Sequence, residues 1–481
     1  MAEIMRNMTL QNIAKACGGT LYQAENLGLE ITCAVIDSRK MEQGGLFFAT
    51  RGEKVDGHLF IDQVFKKGAV CVITEKTPNQ VADENGTEVQ EWGAYILVPD
   101  TFVALKKVAA FYRSQLSIPV IGITGSVGKT STKEFIFGVL SQKYEVLKTE
   151  GNFNNEVGLP LTLLRIRRGH QAAVVEMGIS DFGEMSRLGE MARPDICVIT
   201  NIGQCHLEKL HDRVGVLKAK TEIFNFMAPG GEVCLNGEDD LLSMVSKVNG
   251  KPVHHFGISP SDEFEVYATD VENLGLFGSC ANMHITMGNV ENETEKQTYP
   301  VEIPLPGQHM VINAMAAALV GKLLHLTVEE IQNGIKKVAS LGGRSNIIRL
   351  QDKVVIDDCY NANPVSMKAA IDLLATAEGR KVAILGDMFE LGENSNQMHA
   401  QMGDYAVEKA IDVVLCTGVK SRFMYDAAFE KNDGFQDIRY FADREELLVS
   451  LPGLLSPEDT ILVKASHGMG FDKVVETLEV I

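Results

Sequence analysis

No stretch of this chain offers the run of about twenty apolar residues that a membrane-spanning helix requires. Its start, MAEIMRNMTLQNIAKACGG, lacks the unbroken apolar core of a secretory signal. Basic charge is scarce: 45 Lys and Arg against 64 Asp and Glu leave a formal net charge of −19. Non-specific grip on a nucleic-acid backbone comes from clustered Lys and Arg, so the balance argues against that class. A small polyanionic substrate stays open, because a local cationic site overrides the global sign. Cysteine is thin and unpatterned, with nine residues, no C-x-x-C pair and no regular framework. That points to reduced thiols rather than disulfides. No internal repeat and no low-complexity segment occurs. The expectation is a cytoplasmic monomer with no membrane and no nucleic-acid partner.

What is present is a chain of 481 residues, 45% of them hydrophobic, too long for one ordinary core. Three α/β domains are expected. Residues 1–98 hold short strand-like runs (ITCAVI, GLFFAT, AVCVIT, AYILV) separated by turn formers, a small α/β domain. TFVALKKVAAFYRSQ (101–115) has helical spacing and leads into the second domain, 99–338. There PVIGIT, AAVVEMG and ICVITNIG alternate with helix-like stretches, the rhythm of a parallel sheet covered by helices. FEVYATDV and MHITM alternate polar and apolar residues around NVENETEK, which predicts antiparallel hairpins added to that sheet. Thr327 with Glu330 three residues later predicts a capping box for a helix over TVEEIQNGIKKVASL. After Gly342-Gly343-Arg344, residues 339–481 repeat the alternation in VVIDD, KVAILGD, DVVLCTG and DTILVKA, a Rossmann-like α/β domain.

The strongest local signal is VIGITGSVGKTSTKEF, residues 120–135. A strand running through a small-residue turn into a helix offers unpaired N–H groups and a positive dipole end. Lys129 is placed to bridge terminal phosphates, and the Thr130 hydroxyl to meet Mg²⁺. The strict G-x-x-x-x-G-K-T pattern is not met, since Ile123 stands at its first glycine. The loop is a shorter variant. By itself it fits a kinase, a switch or a motor.

Downstream, Glu176 ends the apolar run AAVVEMG, where a parallel sheet presents its ligand-binding edge. A carboxylate there suits Mg²⁺ held against β- and γ-phosphates. His206 follows the buried run ICVITNIG, but a lone His is more often structural than a ligand, and no zinc spacing surrounds Cys205. In KAKTEIF, Lys218 and Lys220 are either a solvated helix face or, for a desolvated neutral amine, a site where CO₂ adds to give a metal-binding carbamate. The residues alone leave both open.

Taken in order, TGSVGKTSTKE, EGNFNNEVGLPLTLL, VVEMG, TNIGQCHLE, KAKTEIF, LPGQHMVINAMAAAL, GR, DDCYNANPVSM and LGDMFELG resemble the Mur ligases. These are the ATP-dependent amide-forming enzymes of bacterial peptidoglycan synthesis, and the resemblance spans nearly the whole chain. GNFNNEVGLPLTLL and DDCYNANPVSM resemble the member that acts on UDP-N-acetylmuramoyl-tripeptide and D-alanyl-D-alanine. The D-N-P-R motif of the diaminopimelate-adding relative is absent. The resemblance implies a uridine-nucleotide domain (1–98), a central P-loop ATPase-like domain (99–338) and a C-terminal ligase domain on the D-alanyl-D-alanine side (339–481).

It also implies roles residue by residue. Gly125, Ser126, Gly128, Lys129, Thr130 and Ser131 would serve ATP, with Thr130 and Glu176 at the first Mg²⁺. His206 and a carbamylated Lys220 would serve a second metal site, making Lys129, Glu176, His206 and Lys220 the catalytic set. His309 and Asn313 match the adenine side, and Arg344 the hinge arginine. Asn361, Asn363 and Pro364 match the segment closing over adenosine. Ser38, Arg39, Asp56, Gly57 and His58 match the uridine segment. Asn152, Asn154, Asn155, Ser466 and His467 fall on the peptide-substrate side. Two departures stand out: Val127 replaces a common Asn, and in VKASHGMGF Ala465 and His467 replace Gly and Arg. Rival readings are a Mur ligase adding one amino acid, a folylpolyglutamate-type synthetase, and a non-ligating P-loop regulator.

Overall fold

Val120–Thr124, sequence VIGIT, is rich in β-branched residues and buried along its whole length, as a central strand should be. In the computed structural model, which describes residues 3–52, 55–286, 297–340 and 342–481, it lies inside a nine-stranded sheet. Ala172–Glu176 flanks it on one side and Ile196–Ile199 on the other, both parallel to it. The chain reverses its direction of travel across the sheet here, which opens a crevice at the carboxyl ends of the strands. The parallel part runs on through Glu232–Asn236, His254–Gly257 and Phe264–Asn273. Ser279–Ile285 and Gln297–Ile303 then pair antiparallel at the edge, as the alternation in FEVYATDV predicts. The segment NVENETEK, around which the hairpin is expected, lies outside the described residues.

Helix Lys129–Leu140 buries Phe135, Ile136 and Val139 in one apolar cluster with Val311, Met315 and Leu319 of helix Gln308–Leu323. The expected helix near 327–341 forms as Val328–Lys336; Leu341 lies outside the described residues. Its capping box is in place, Thr327 N donating to Glu330 Oε2 (2.7 Å) and Glu330 N to Thr327 Oγ1 (3.2 Å).

The amino-terminal sheet has the order Thr20–Tyr22, Tyr95–Leu97, Cys71–Thr74, Leu46–Phe48, Ala34–Val35, with only the first pair antiparallel. A single apolar cluster runs from Ile13 and Ile96 through Leu105 and Val108 to Leu163 and Leu188. Helix Thr101–Arg113 therefore belongs to the interiors of both units. At its end Arg113 Nη2 meets Asp195 Oδ2 at 2.9 Å, and the same oxygen accepts from Val120 N at 2.8 Å. The carboxy-terminal sheet has the order Asn346–Arg349, Val354–Asp357, Thr460–Lys464, Lys381–Gly386, Val413–Thr417, Asp437–Phe441. All neighbours in it are parallel except the first pair.

Candidate active site between the central and C-terminal units

The phosphate loop, 125–128, leaves the carboxyl end of Val120–Thr124 at the reversal point. Gly125 has φ 147, and a Cβ there would lie 1.9 Å from Thr200 Oγ1. Gly128 (φ 81) caps helix Lys129–Leu140. Two residues with no role expected from sequence fix the loop. Thr200 Oγ1 donates to Val127 O (2.5 Å), and Asn201 takes Val127 N on its Oδ1 (3.0 Å) and returns Nδ2 to Val127 O (3.0 Å). Lys129 is folded over the loop, donating to Gly125 O at 2.8 Å. Desolvation pushes its amine pKa down, against the pull of the Glu176 charge.

Glu176, 1% exposed at the end of its strand, gathers the elements around it. Oε2 accepts from Thr130 Oγ1 (2.9 Å) and stands 3.7 Å from the buried Lys133 ammonium. Oε1 accepts from Asn154 Nδ2 (2.8 Å), and the backbone N donates to Thr149 Oγ1 (3.0 Å). Asn155 Oδ1 caps Gly158–Leu163 through Val157 N and Gly158 N, while Asn152 O receives Asn154 N.

His206 takes a left-handed backbone, φ 51. Its Nδ1 lies 2.5 Å from Glu390 Oε2 of the C-terminal unit, an ion-pair approach off the line of an ideal hydrogen bond. His206 holds the Glu390 carboxyl below its ordinary range. Lys220, on helix Arg213–Thr221, is 1% exposed. Burial first, then the Lys129 charge, lowers its pKa to about 8, with Cys205 acting the other way. Among the described residues no carboxylate pairs with it.

The facing wall comes from the ends of the C-terminal strands. Lys464 Nζ donates to Asp358 Oδ2 (2.6 Å) and Asn361 O (3.0 Å), and Asp358 Oδ1 accepts from Ser345 N (3.0 Å). The Arg344 guanidinium lies 4.0 Å from the Tyr360 ring centroid, and the His467 ring 5.5 Å from it. Asn363 caps helix Pro364–Ala375 in a reciprocal box with Ser366, with Pro364 at its first position. Ser466 Oγ accepts from Phe389 N (2.9 Å). His309 has its pKa pushed down by burial, with Asp358 pulling it up. A Cβ on Gly128 would sit 3.2 Å from Asn313 Oδ1.

A cavity of about 610 Å³ joins these walls. Of the residues expected from sequence it is lined by Ser126, Gly128, Lys129, Ser131, Asn154, Asn155, Glu176, His206, His309, Asn313, Arg344, Asn361 and Asn363. Gly125, Thr130, Asn152, Lys220, Pro364, Ser466 and His467 are not on its lining. The remaining expected residues form a separate pair of turns in the amino-terminal unit. Arg39 pairs with Asp37 (2.8 Å) beside Ser38, and Asp56 Oδ1 meets His58 Nδ1 (2.6 Å) across Gly57. Asp358, Tyr360, Glu390 and Lys464 are further candidate residues. Their one sequence signal is position at or just beyond the carboxyl end of an apolar strand.

The hard oxygens of Thr130 and Glu176 fit Mg²⁺. Among the described residues no three His, Cys, Asp or Glu side chains form a complete metal cage.

Two α/β units contribute to one cavity that holds a strand–glycine loop–helix phosphate site, which defines a nucleotide-using protein. The comparisons with known proteins narrow this class. Residues 30–113 match the Mur ligase family, catalytic domain; 123–321 the Mur ligase middle domain; and 343–467 the Mur ligase, glutamate ligase domain. The chain is 35% identical to UDP-N-acetylmuramoyl-tripeptide–D-alanyl-D-alanine ligase of Bacillus subtilis, over 98% of this chain and 99% of that one. Its fold is similar to MurF from Acinetobacter baumannii, with TM-score 0.84, 31% identity and 98% of each chain covered. It is also similar to MurF ligase from Thermotoga maritima in complex with ADP, with TM-score 0.76, 26% identity, and 93% of this chain and 97% of that chain covered. The chain belongs to the Mur ligase family.

Proposed function

We infer that this protein is an ATP-dependent ligase joining D-alanyl-D-alanine to UDP-N-acetylmuramoyl-tripeptide, a step of peptidoglycan synthesis. The observation that carries this reading is Glu176, bonded to the buried Thr130 beside the phosphate loop and lining one cavity with Arg344 and Lys464 of another unit. The named activity of the relatives supplies the substrates.

A carboxylate is a poor electrophile, since an amine does not displace oxide from it. Transfer of the γ-phosphoryl group of ATP to the tripeptide carboxylate gives an acyl phosphate and ADP. The amine of D-alanyl-D-alanine then attacks the acyl carbon, and the tetrahedral intermediate expels inorganic phosphate. Bringing a carboxylate to a triphosphate costs about 4 kcal/mol per unit-charge pair at ~4 Å and an effective dielectric of ~20. Lys129, swung from Gly125 O onto the phosphates, and Arg344 offset that repulsion. Asn154 and Lys133 hold Glu176 facing the Thr130 hydroxyl. Thr130 and Glu176 would hold one Mg²⁺, and His206 with carbamylated Lys220 a second. Bound there, these ions would neutralise developing phosphate charge.

His309, Asn313, Asn361, Asn363 and Pro364 would take the adenosine. Ser38, Arg39, Asp56, Gly57 and His58 would take the uridine nucleotide. Asn152, Asn155, Ser466 and His467 would face the peptide substrates. Domain limits near residues 98 and 338, a monomeric state and a cytoplasmic place of work complete the reading.

Purified protein, given both peptide substrates and MgATP, should form pentapeptide, ADP and phosphate in equal amounts. ATP hydrolysis without amide product rejects the reading, and turnover of a single amino acid in place of the dipeptide points to another Mur ligase.

A further inference from the structure

The contact between His206 and Glu390 joins two units at one atom pair. His206 sits in the central unit, and Glu390 in the loop after Lys381–Gly386 of the C-terminal unit, 2.5 Å away. Both residues hold left-handed backbone, with φ 51 and φ 61. Non-glycine residues keep that conformation where the surroundings over-determine it, and such places cluster at functional sites.

The surroundings here are specific. Three successive residues of the Glu390 loop are pinned to their own unit. Asp387 Oδ1 accepts from Ser421 N (2.6 Å), Met388 N donates to His399 Nε2 (2.9 Å), and Phe389 N donates to Ser466 Oγ (2.9 Å). Glu390 is the next residue, presented outward. On the other side Leu207 packs on the C-terminal apolar cluster that contains Met388 and Leu391. At Gly392 (φ 66) the two backbones are close neighbours: a Cβ there would lie in ordinary contact, 3.6 Å, with Glu208 N. A pinned loop, an apolar anchor and a close backbone approach thus converge on one carboxylate–imidazole pair.

A carboxylate on one ring nitrogen of a metal-site histidine fixes the tautomer and the ring orientation. We propose that Glu390 is a positioning residue for His206: it holds the ring by Nδ1, leaves Nε2 for the occupant of the cavity, and makes that arrangement depend on docking of the C-terminal unit. The proposal rests on the ligase reading above. Its consequence is that phosphoryl transfer is tuned to the presence of the unit that carries the amine substrate, which limits unproductive ATP hydrolysis.

The test uses full-length wild type, Glu390→Gln and Glu390→Ala, each ¹⁵N-labelled at histidine, at about pH 8.5 where an ordinary imidazole is neutral. His206→Gln assigns the ring signal. In wild type the His206 ring should show one tautomer, protonated at Nδ1, and in Glu390→Ala an exchanging mixture. Titration with Mn²⁺ and a non-hydrolysable ATP analogue should find the weaker of two Mn²⁺ sites loosened about 10–100-fold in Glu390→Ala, with kcat falling alike and KM for ATP nearly unchanged. Glu390→Gln, which keeps an uncharged acceptor oxygen near Nδ1, should lie between. An unaltered tautomer and unaltered Mn²⁺ binding in Glu390→Ala overturn the proposal; if that variant does not fold, the same two readings on Glu390→Gln decide it. Failure of wild type to make pentapeptide counts against the ligase reading, and the tautomer still judges the Glu390 contact.

Discussion

The Thr130 hydroxyl donates to Glu176 Oε2 over 2.9 Å with both side chains buried, which ties the first turn after the phosphate loop to the neighbouring strand end. Removing the charge while keeping the shape isolates its role. Glu176→Gln should lower kcat about 10²–10³-fold, the scale of losing one preorganised electrostatic group. Nucleotide affinity measured in Mn²⁺ should weaken with it, while the circular dichroism spectrum stays that of wild type. A variant with wild-type turnover would remove Glu176 from the proposed metal site.

Gly125 is the tightest point of the loop. A methyl group there meets Thr200 Oγ1 at 1.9 Å, and Thr200 is itself bonded to Val127 O. Gly125→Ala should therefore displace the loop rather than be absorbed, raising KM for ATP at least about tenfold and lowering Tm by several degrees. Equal loss in Thr200→Ala would show that the clamp, and not the glycine alone, sets the loop.

Lys220 has its pKa lowered from 10.5 to about 8 by burial. The neutral amine is the form that adds CO₂, and its fraction falls about tenfold per pH unit below that value. Protein stripped of CO₂ should be inactive, and at fixed dissolved CO₂ its rate of reactivation should climb between pH 6 and 8 and level off above. Lys220→Ala should stay inactive with bicarbonate present. A reactivation rate indifferent to pH would remove the carbamate from the scheme.

Far from the cavity, His254 Nδ1 meets Glu265 Oε2 at 2.6 Å and its Nε2 lies 3.2 Å from Glu232 Oε2; Lys322 and Lys251 bind the same carboxylates. The hydrogen bond that His254 donates to Glu265 raises the His254 pKa above 6.5 and lowers the Glu265 pKa from 4.5 to about 2. The histidine's share of stability is complete below pH 6.5 and is lost as pH rises through its raised value. The glutamate's share is complete above pH 4.5 and is lost as pH falls toward 2. Urea unfolding should show His254→Gln closing the gap to wild type between about pH 6 and 9. A constant gap would refute the linkage.

What could be read from the sequence was what is local. The strand–turn–helix at 120–135 and the Thr327/Glu330 box are patterns of adjacent residues, and both stand as expected. Edge strands Asn346–Arg349 and Asp437–Phe441 were not legible, because half-exposed edges carrying Arg and Asp show no apolar run. Thr200 and Asn201 look like any strand end until the loop lies against them. The Glu390 contact, the Arg344–Tyr360 stacking and the Lys464–Asp358 pair need distant segments to meet, and no spacing in the chain encodes that meeting.

Because helix Thr101–Arg113 lends its apolar face to two interiors at once, the amino-terminal sheet is no detachable module. Cutting the chain near residue 98 would strip a wall from the unit that keeps the phosphate loop, and Asp195, which braces that loop's strand, would lose the support of a seated helix. A truncated central piece should come out of cells as inclusion bodies, whereas the carboxy-terminal sheet, with apolar clusters made almost wholly of its own residues, is the part that would survive on its own.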